Sequence, residues 1–373
     1  MLHARDPRTL KAPNRQTTLS LTDITADAAA LTDFDGHEQV WLGMDEQRGL
    51  TAIVAIHDTT LGPALGGTRI WPHENFEAGL TDALRLARGM TLKAAVAGLR
   101  LGGGKAVIIA DPKAHKTPAM LEAYAEMLAA LDGQFITAED VGLTIEDADF
   151  LRARASNVTG TTRGGSGNPS PVTAHGVFLG LKAALRHRRG NDRLDGVRVA
   201  VQGLGAVGWS LAKKLSQEGA VLTVADIDPA RARKAVEHLG ATAAEGNAIM
   251  AADVDVFAPC ALGAILSAES IPLLKATIVA GSANNQLASP ADAARLKDRN
   301  ILYAPDYVIN AGGLINVAEE LSRTGYDGEA AMKRVGQIPR TLTAIFRRAE
   351  EEGRTTDAVA ETIAMERIAA ARR

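Results

Sequence analysis

One cysteine, Cys260, stands alone in 373 residues, so neither an intrachain disulfide nor a multi-thiolate metal site can form. Aromatic residues are scarce at 4%, and no run of about 18 uncharged apolar residues exists, which leaves no candidate membrane span. The net charge of −3 supplies no basic field for nucleic acid or an acidic membrane surface. The first twenty residues, MLHARDPRTLKAPNRQTTLS, lack the apolar core of a signal peptide. We expect a cytoplasmic protein, with residues 1–20 a disordered tail. There are no repeats, no low-complexity tracts and no metal-ligand cluster. What is abundant is glycine, with 36 residues, which points to tight turns and close backbone approaches.

The densest glycine run, in AVAGLRLGGGKAVIIADP (95–112), leads into Lys105. A phosphate loop would need Gly, four residues, then Gly-Lys-Ser/Thr. Leu99 stands at the first position and Ala106 follows the lysine, so that reading fails. Gly102–Gly104 reads as a flexible turn before a strand. Around it lie a strand over 50–59, a long amphipathic helix over 77–98, a helix ended by Gly133, and a strand running into the acids of TAEDVG (137–142). TTRGGSGNPSPVTAHG (161–176) reads as a linker or hinge. Beyond it, helices alternate with short apolar strands that end in small polar residues, which argues for a parallel, doubly wound sheet.

That second half carries a dinucleotide fingerprint. VAVQGLGAVGWS places Gly203, Gly205 and Gly208 in G-x-G-x-x-G spacing, with Leu204, Ala206 and Val207 between them. A strand precedes it, a helix follows, and Asp226 and Ile227 end the next strand. Gly203 permits the turn, Gly205 lets a pyrophosphate approach, and Gly208 lets the helix pack. Helix-terminal N–H groups then face the phosphates. Asp226 can accept both ribose hydroxyls and repel a 2′-phosphate, favouring NAD. Later strand ends, expected at the same crevice, add Ala258, Cys260, Ala283, Asn284, Asn285 and Asn310.

Four segments of the first half, GPALGGTR, GMTLKAA, GGGKAVI and TAEDVG, stand in order with SGNPSPVTA, APCALGA, GSANNQL and YAPDYVINAGG of the second. Together they resemble the amino acid dehydrogenases of the glutamate/leucine/phenylalanine/valine family, with the leucine-type enzymes nearest. The resemblance implies an α/β protein of two domains, with a cleft between them. An N-terminal substrate and oligomerisation domain would span 1–161, and a Rossmann-type NAD domain 162–355. A C-terminal helix, 356–373, would return to the first domain. It implies a homo-oligomer, a dimer or octamer.

The resemblance also implies roles. Lys93 would pair the substrate carboxylate. Lys105 would be the acid/base, with burial and Lys93 as a second cation making it a base near neutral pH. Asp140 would assist proton transfer on the amine, Asn285 would help hold substrate and cofactor, and Thr173 would meet the nicotinamide amide. Leu65, Gly66, Ala138, Thr159, Leu314 and Val317 would line the substrate pocket. The expected reaction is oxidative deamination of a branched-chain L-amino acid, leucine foremost, to a 2-oxo acid. A glutamate substrate would need a cation in this mostly apolar lining. Leu314, where leucine-type enzymes carry valine, keeps a phenylalanine-type enzyme as the alternative. A non-catalytic NAD-binding protein is the remote one.

Overall fold

A computed structural model describes residues 18–261 and 263–373. The tail expected over residues 1–20 lies outside the described residues up to position 17, and Ser20 already opens a strand. The chain divides into two compact units. The first runs to Ala95, resumes over Leu99–Gly167 and takes in Ala371–Arg373; the second holds Val96–Gly98 and Asn168–Ala370.

The first unit contains β1 (Ser20–Asp23), α1 (Thr25–Ala28), β2 (Gln39–Asp45), β3 (Leu50–Asp58), β4 (Ala64–Trp71), α2 (Phe76–Val96), β5 (Gly102–Ile109), α3 (Pro118–Ala130), β6 (Phe135–Ala138) and α4 (Ile145–Arg152). Its mixed sheet has the order β1-β2-β3-β5-β4-β6, with β5 parallel to β4 and antiparallel to β3. Strand alternation separates two cores. Ala52, Val54, Ile56, Ala106 and Ile108 face α3 and α4 through Met120, Tyr124, Met127 and Leu151. Ile53, Ala55 and Val107 face α2 through Leu80, Ala83, Leu84 and Ala87. Lys105 shares the parity of Val107, so it stands on the α2 face.

Gly102–Gly104 is not a turn. These glycines are the first residues of β5, and every residue from Gly102 to Ile108 is buried. Glycine is a poor strand former by propensity, but here packing decides. A Cβ on Gly102 would strike the Asp58 carbonyl, one on Gly103 the main chain of Thr91, and one on Gly104 the Phe135 ring. Opposite them β3 carries a bulge at His57: Ile56 pairs Gly104 and Asp58 pairs Gly103.

The second unit opens with α5 (Ser170–Arg189), then β7 (Arg198–Gln202), α6 (Ala206–Gln217), β8 (Val221–Ala225), α7 (Pro229–Leu239), β9 (Thr242–Ala243), β10 (Val256–Pro259), β11 (Ile278–Val279), α8 (Ala291–Asp298) and β12 (Leu302–Tyr303). Five helices follow: α9 (Asp306–Ile309), α10 (Gly312–Ala318), α11 (Gly328–Val335), α12 (Ile338–Glu352) and α13 (Thr356–Ala371). The sheet order is β12-β11-β10-β7-β8-β9, with every pair parallel. That is the doubly wound dinucleotide topology, whose order reverses beside β7 and places ligands at the strands' carboxyl ends. The run expected as a strand into Asn310 breaks after Tyr303: Asp306–Ile309 is helical and Asn310 caps it. Among the described residues no helix is long and apolar enough to cross a membrane.

Candidate active site

In the first unit the site is built on the α2 face of the sheet. Lys105 Nζ donates to Asp140 Oδ2, with the lysine side chain 7% exposed. Arg69 lies on β4 in register with Val107, and Leu65 in register with Gly103, so all share the face of Lys105. Arg69 Nε is 3.5 Å from Asp140, and its Nη1 is 3.0 Å from Asp82 on α2. His73 Nε2 closes the row, 3.3 Å from Asp82. Burial alone would raise the Asp140 carboxyl. The charges of Lys105 and Arg69, the hydrogen bond from Lys105 and the Val141 N–H outweigh it and hold Asp140 down at about 2. Asp140 is therefore a fixed anion at neutral pH. The structure thus brings together Lys105 and Asp140, both expected site residues.

Helix α2 reaches β5 because Gly103 has no side chain. The Thr91 main chain occupies that space, and the His57 ring Nδ1 lies 2.9 Å from Thr91 Oγ1. Thr91 precedes Lys93 by two residues, and Gly103 precedes Lys105 by two, so the contact draws together the segments that carry both lysines. Of the expected lining, Leu65 is 1%, Thr159 3% and Ala138 8% exposed. Thr159 Oγ1 donates to the Thr137 carbonyl, while Gly66 leaves room for the Gly104 carbonyl. Sequence reasoning gave no role to Arg69, Thr91 or His57. The signal for Arg69 was present: four residues after Leu65 in one strand, it must share its face.

The second unit carries the cofactor half. Gly203 turns with φ +94°, and a Cβ on Gly208 would strike the Gly203 carbonyl, so turn and helix are packed together. Gly205 differs: nothing lies within 4 Å of where its Cβ would be. Helix α6 begins behind Gly205 with no side-chain cap. Such an open, uncapped helix start suits a pyrophosphate. Asn310 is buried; its Nδ2 donates to the Ser282 carbonyl (3.1 Å) and to Asn284 Oδ1 (2.8 Å), and its Oδ1 has no partner. An orphan acceptor beside the sheet's carboxyl edge fits an amide donor such as a carboxamide. These residues fit a dinucleotide.

The expected cofactor residues differ in burial and in their hydrogen bonds. Ala258 has no exposed surface on β10, a central strand flanked by β11 and β7. Ala283 is likewise buried, and Cys260 packs against Gly208. Ile227 is fully outward. Asp226 is held in place by main-chain donors: Oδ2 accepts the Leu204 N–H at 2.6 Å and Oδ1 the Asp228 N–H at 2.8 Å, which leaves a lone pair on each oxygen. Asn285 adopts φ +50°, a turn conformation asparagine tolerates, and its carbonyl accepts from Ala264 at 2.6 Å. The Thr173 hydroxyl donates to the Pro169 carbonyl beside Gly313. Leu314 and Val317 are three apart on α10, and both are buried.

A buried lysine–aspartate pair on one unit and a parallel dinucleotide-type sheet on the other suit an oxidoreductase, and sequence comparison gives the class. Residues 38–157 match the profile "Glu/Leu/Phe/Val dehydrogenase, dimerisation domain", and residues 164–230 and 230–373 match "Glutamate/Leucine/Phenylalanine/Valine dehydrogenase". Leucine dehydrogenase of Bacillus cereus is 51% identical over 335 residues, covering 89% of this chain and 91% of that one. Valine dehydrogenase of Streptomyces albus is 43% identical over 363 residues, covering 94% and 99%. The crystal structure of L-tryptophan dehydrogenase from Nostoc punctiforme superposes with a TM-score of 0.80 at 49% identity, covering 91% and 97%. The chain belongs to the glutamate/leucine/phenylalanine/valine dehydrogenase family of amino acid dehydrogenases.

Proposed function

We propose that this chain catalyses the NAD-dependent oxidative deamination of a branched-chain L-amino acid, L-leucine first and valine and isoleucine after it, as a homo-oligomer. The Lys105–Asp140 pair, buried on a face shared with the apolar Leu65, is the observation that carries this reading. Bound at the glycine turn, the nicotinamide cofactor supplies the acceptor for a hydride leaving Cα. This chain's residues do the rest. Lys93 pairs the substrate carboxylate. Asp140, ionised at neutral pH, accepts N–H bonds from Lys105 or from the substrate's ammonium. Lys105 takes a proton from the water that adds to the imino carbon, then returns one as ammonia departs. Acid–base groups of this kind contribute roughly 10²–10⁴-fold to rate.

Leu65 and Ala138 in the first unit, and separately Leu314 and Val317 in the second, are apolar and buried, and none offers a charge to a substrate side chain. Burying an unpaired glutamate carboxylate costs several kcal/mol, whereas one methylene is worth about 1–3 kcal/mol. The test is NADH formation with a panel of L-amino acids. We expect kcat/KM for leucine to exceed that for glutamate by at least ~10²-fold, with isoleucine and valine within the ~10–200-fold that a methylene allows. Turnover of glutamate above leucine would overturn the pocket assignment. An aromatic preference is the second reading, favoured by Leu314 and by the relatedness to L-tryptophan dehydrogenase. Phenylalanine or tryptophan leading the panel would select it.

A further inference from the structure

The Asp140 carboxylate in the first unit faces two cations, and they are not equivalent. Lys105 of β5 and Arg69 of β4 both approach its Oδ2. Lys105 donates a hydrogen bond to that oxygen. The Arg69 Nε stands 3.5 Å away, beyond the roughly 2.7–3.2 Å of a formed N–H···O bond. That nitrogen is buried and has no hydrogen-bond partner among the described residues. The other end of the same guanidinium is tied down. Its Nη1 donates to both oxygens of Asp82 on α2, at 3.0 and 3.3 Å. His73 Nε2 lies 3.3 Å from the Asp82 oxygen nearer Arg69. The arginine is therefore anchored at one end and keeps one buried donor unused beside Asp140.

The two cations also differ chemically. An acid–base lysine must shed its proton during the reaction, whereas a guanidinium keeps its charge throughout. Whenever Lys105 is neutral, the only counter-ion left beside the Asp140 oxygen is Arg69. Resting on the acid–base reading of Lys105 above, we infer that Arg69 is a positioning residue: its unused Nε closes on Asp140 when Lys105 gives up its proton, and holds the carboxylate ionised and in place until the proton returns. The closure needed is roughly half an ångström. Asp82 steadies the guanidinium from its far side, so the movement can be small. The charges of Lys105 and Arg69 are the two that already hold the Asp140 carboxyl low. Other charged groups nearby cannot stand in. Glu139, next to Asp140 in the chain, is an acid whose own carboxyl is raised by burial and by Asp140 and Glu146. Lys93 of α2 engages the substrate carboxylate in the proposed reaction.

Two experiments separate this role from packing. The first is the kcat–pH profile with NAD and the amino acid that leads the panel. Arg69→Gln should move the acid limb of kcat upward by about one pH unit, because the proton then leaves Lys105 beside a stranded anion. KM measured above that limb should change by less than about twofold, since Arg69 acts through Asp140 and not on the substrate. Arg69→Lys, which keeps the charge, should recover most of the shift. An acid limb at its wild-type position in Arg69→Gln overturns the inference, whatever the size of kcat. The second experiment needs no turnover. Urea midpoints at pH 7.5 are compared for Lys105→Met, Arg69→Gln and the double variant of the full-length protein. Lys105→Met should lose less than roughly half of what Asp140→Leu loses, because Arg69 takes over the carboxylate, and the double variant should lose more than the two single losses added. A double variant that fails to fold while both singles fold is the same result. Additive losses, or a Lys105→Met variant as unstable as Asp140→Leu, overturn the inference; the Lys105→Met comparison decides alone if Arg69→Gln does not fold. A wild type that turns over no amino acid overturns the proposed reaction instead, and the urea comparison still decides whether Arg69 can replace Lys105 at Asp140.

Discussion

Lys105 and Asp140 illustrate how a site can be unfavourable for stability and still be kept. Both side chains are largely withdrawn from water, at 7% and 22% exposure. Removing one partner of a buried pair strands the other charge at a cost of about 3–5 kcal/mol, whereas an apolar pair of similar volume is often neutral or better. We therefore expect Asp140→Leu to be strongly destabilised in urea unfolding, and Lys105→Met/Asp140→Leu to recover most of the loss. Neither variant should keep more than about a hundredth of wild-type turnover, given the usual weight of an acid–base group. A double variant no more stable than the single one would show that the pair contributes net stability after all.

At the level of elements, the contact between α2 and β5 does the positioning. Gly103 lets the Thr91 main chain lie directly on the strand, and the bulged His57 holds Thr91 from the other side. Gly103→Ala would force α2 outward or bend β5; overpacking of this kind costs roughly 1–3 kcal/mol. The expected result is a folded protein, with unchanged far-ultraviolet circular dichroism, whose kcat/KM falls at least ~10²-fold because misplacement of about 1 Å can cost that much. Retention of near-normal kcat/KM would mean the contact is packing alone. Strand propensity argues against glycine, so reading a turn at 102–104 was the natural inference. Only the three-dimensional neighbours Asp58, Thr91 and Phe135 reveal why glycine is there. By contrast, the parallel sheet, the helix after Gly205 and the pairing of Leu314 with Val317 on one helix were legible, because periodicity and local spacing encode them. The engagement of Asp226 was not, since a carboxylate's hydrogen-bond partners leave no trace in spacing.

Across the whole molecule, acid should act in two stages. His37 is buried; burial, partly offset by the Leu84 carbonyl, brings its imidazole down from 6.5 to about 4, with His57, Asp35 and Arg88 as the other charged neighbours. His57 is lowered too, chiefly by burial. Between pH 6.5 and about 4 the unfolded chain binds protons at these sites that the native chain refuses. Stability is full above 6.5 and declines as pH falls through that window. Asp140 acts in the same sense at lower pH, though here it is the charged form that folding favours: its contribution is present above 3.8 and is lost as pH falls towards about 2. Urea midpoints should therefore stay level from pH 7.5 to about 6.5 and fall from there to pH 4, and His37→Gln should flatten part of that slope. An identical slope in that variant would remove His37 from the account.

The glycine strand also has a genetic consequence. Every single-nucleotide missense change in a glycine codon installs a residue with a side chain. At 102, 103 and 104 the first added carbon meets a main-chain or ring atom that cannot turn aside. Saturation mutagenesis followed by growth selection should leave these three adjacent codons blank of missense survivors. The codons for Gly36 and Gly49, with nothing within 4 Å, meet no such neighbour, and changes there face only the strain of positive φ. Depletion would then trace the buried seam between α2 and β5 directly in the gene.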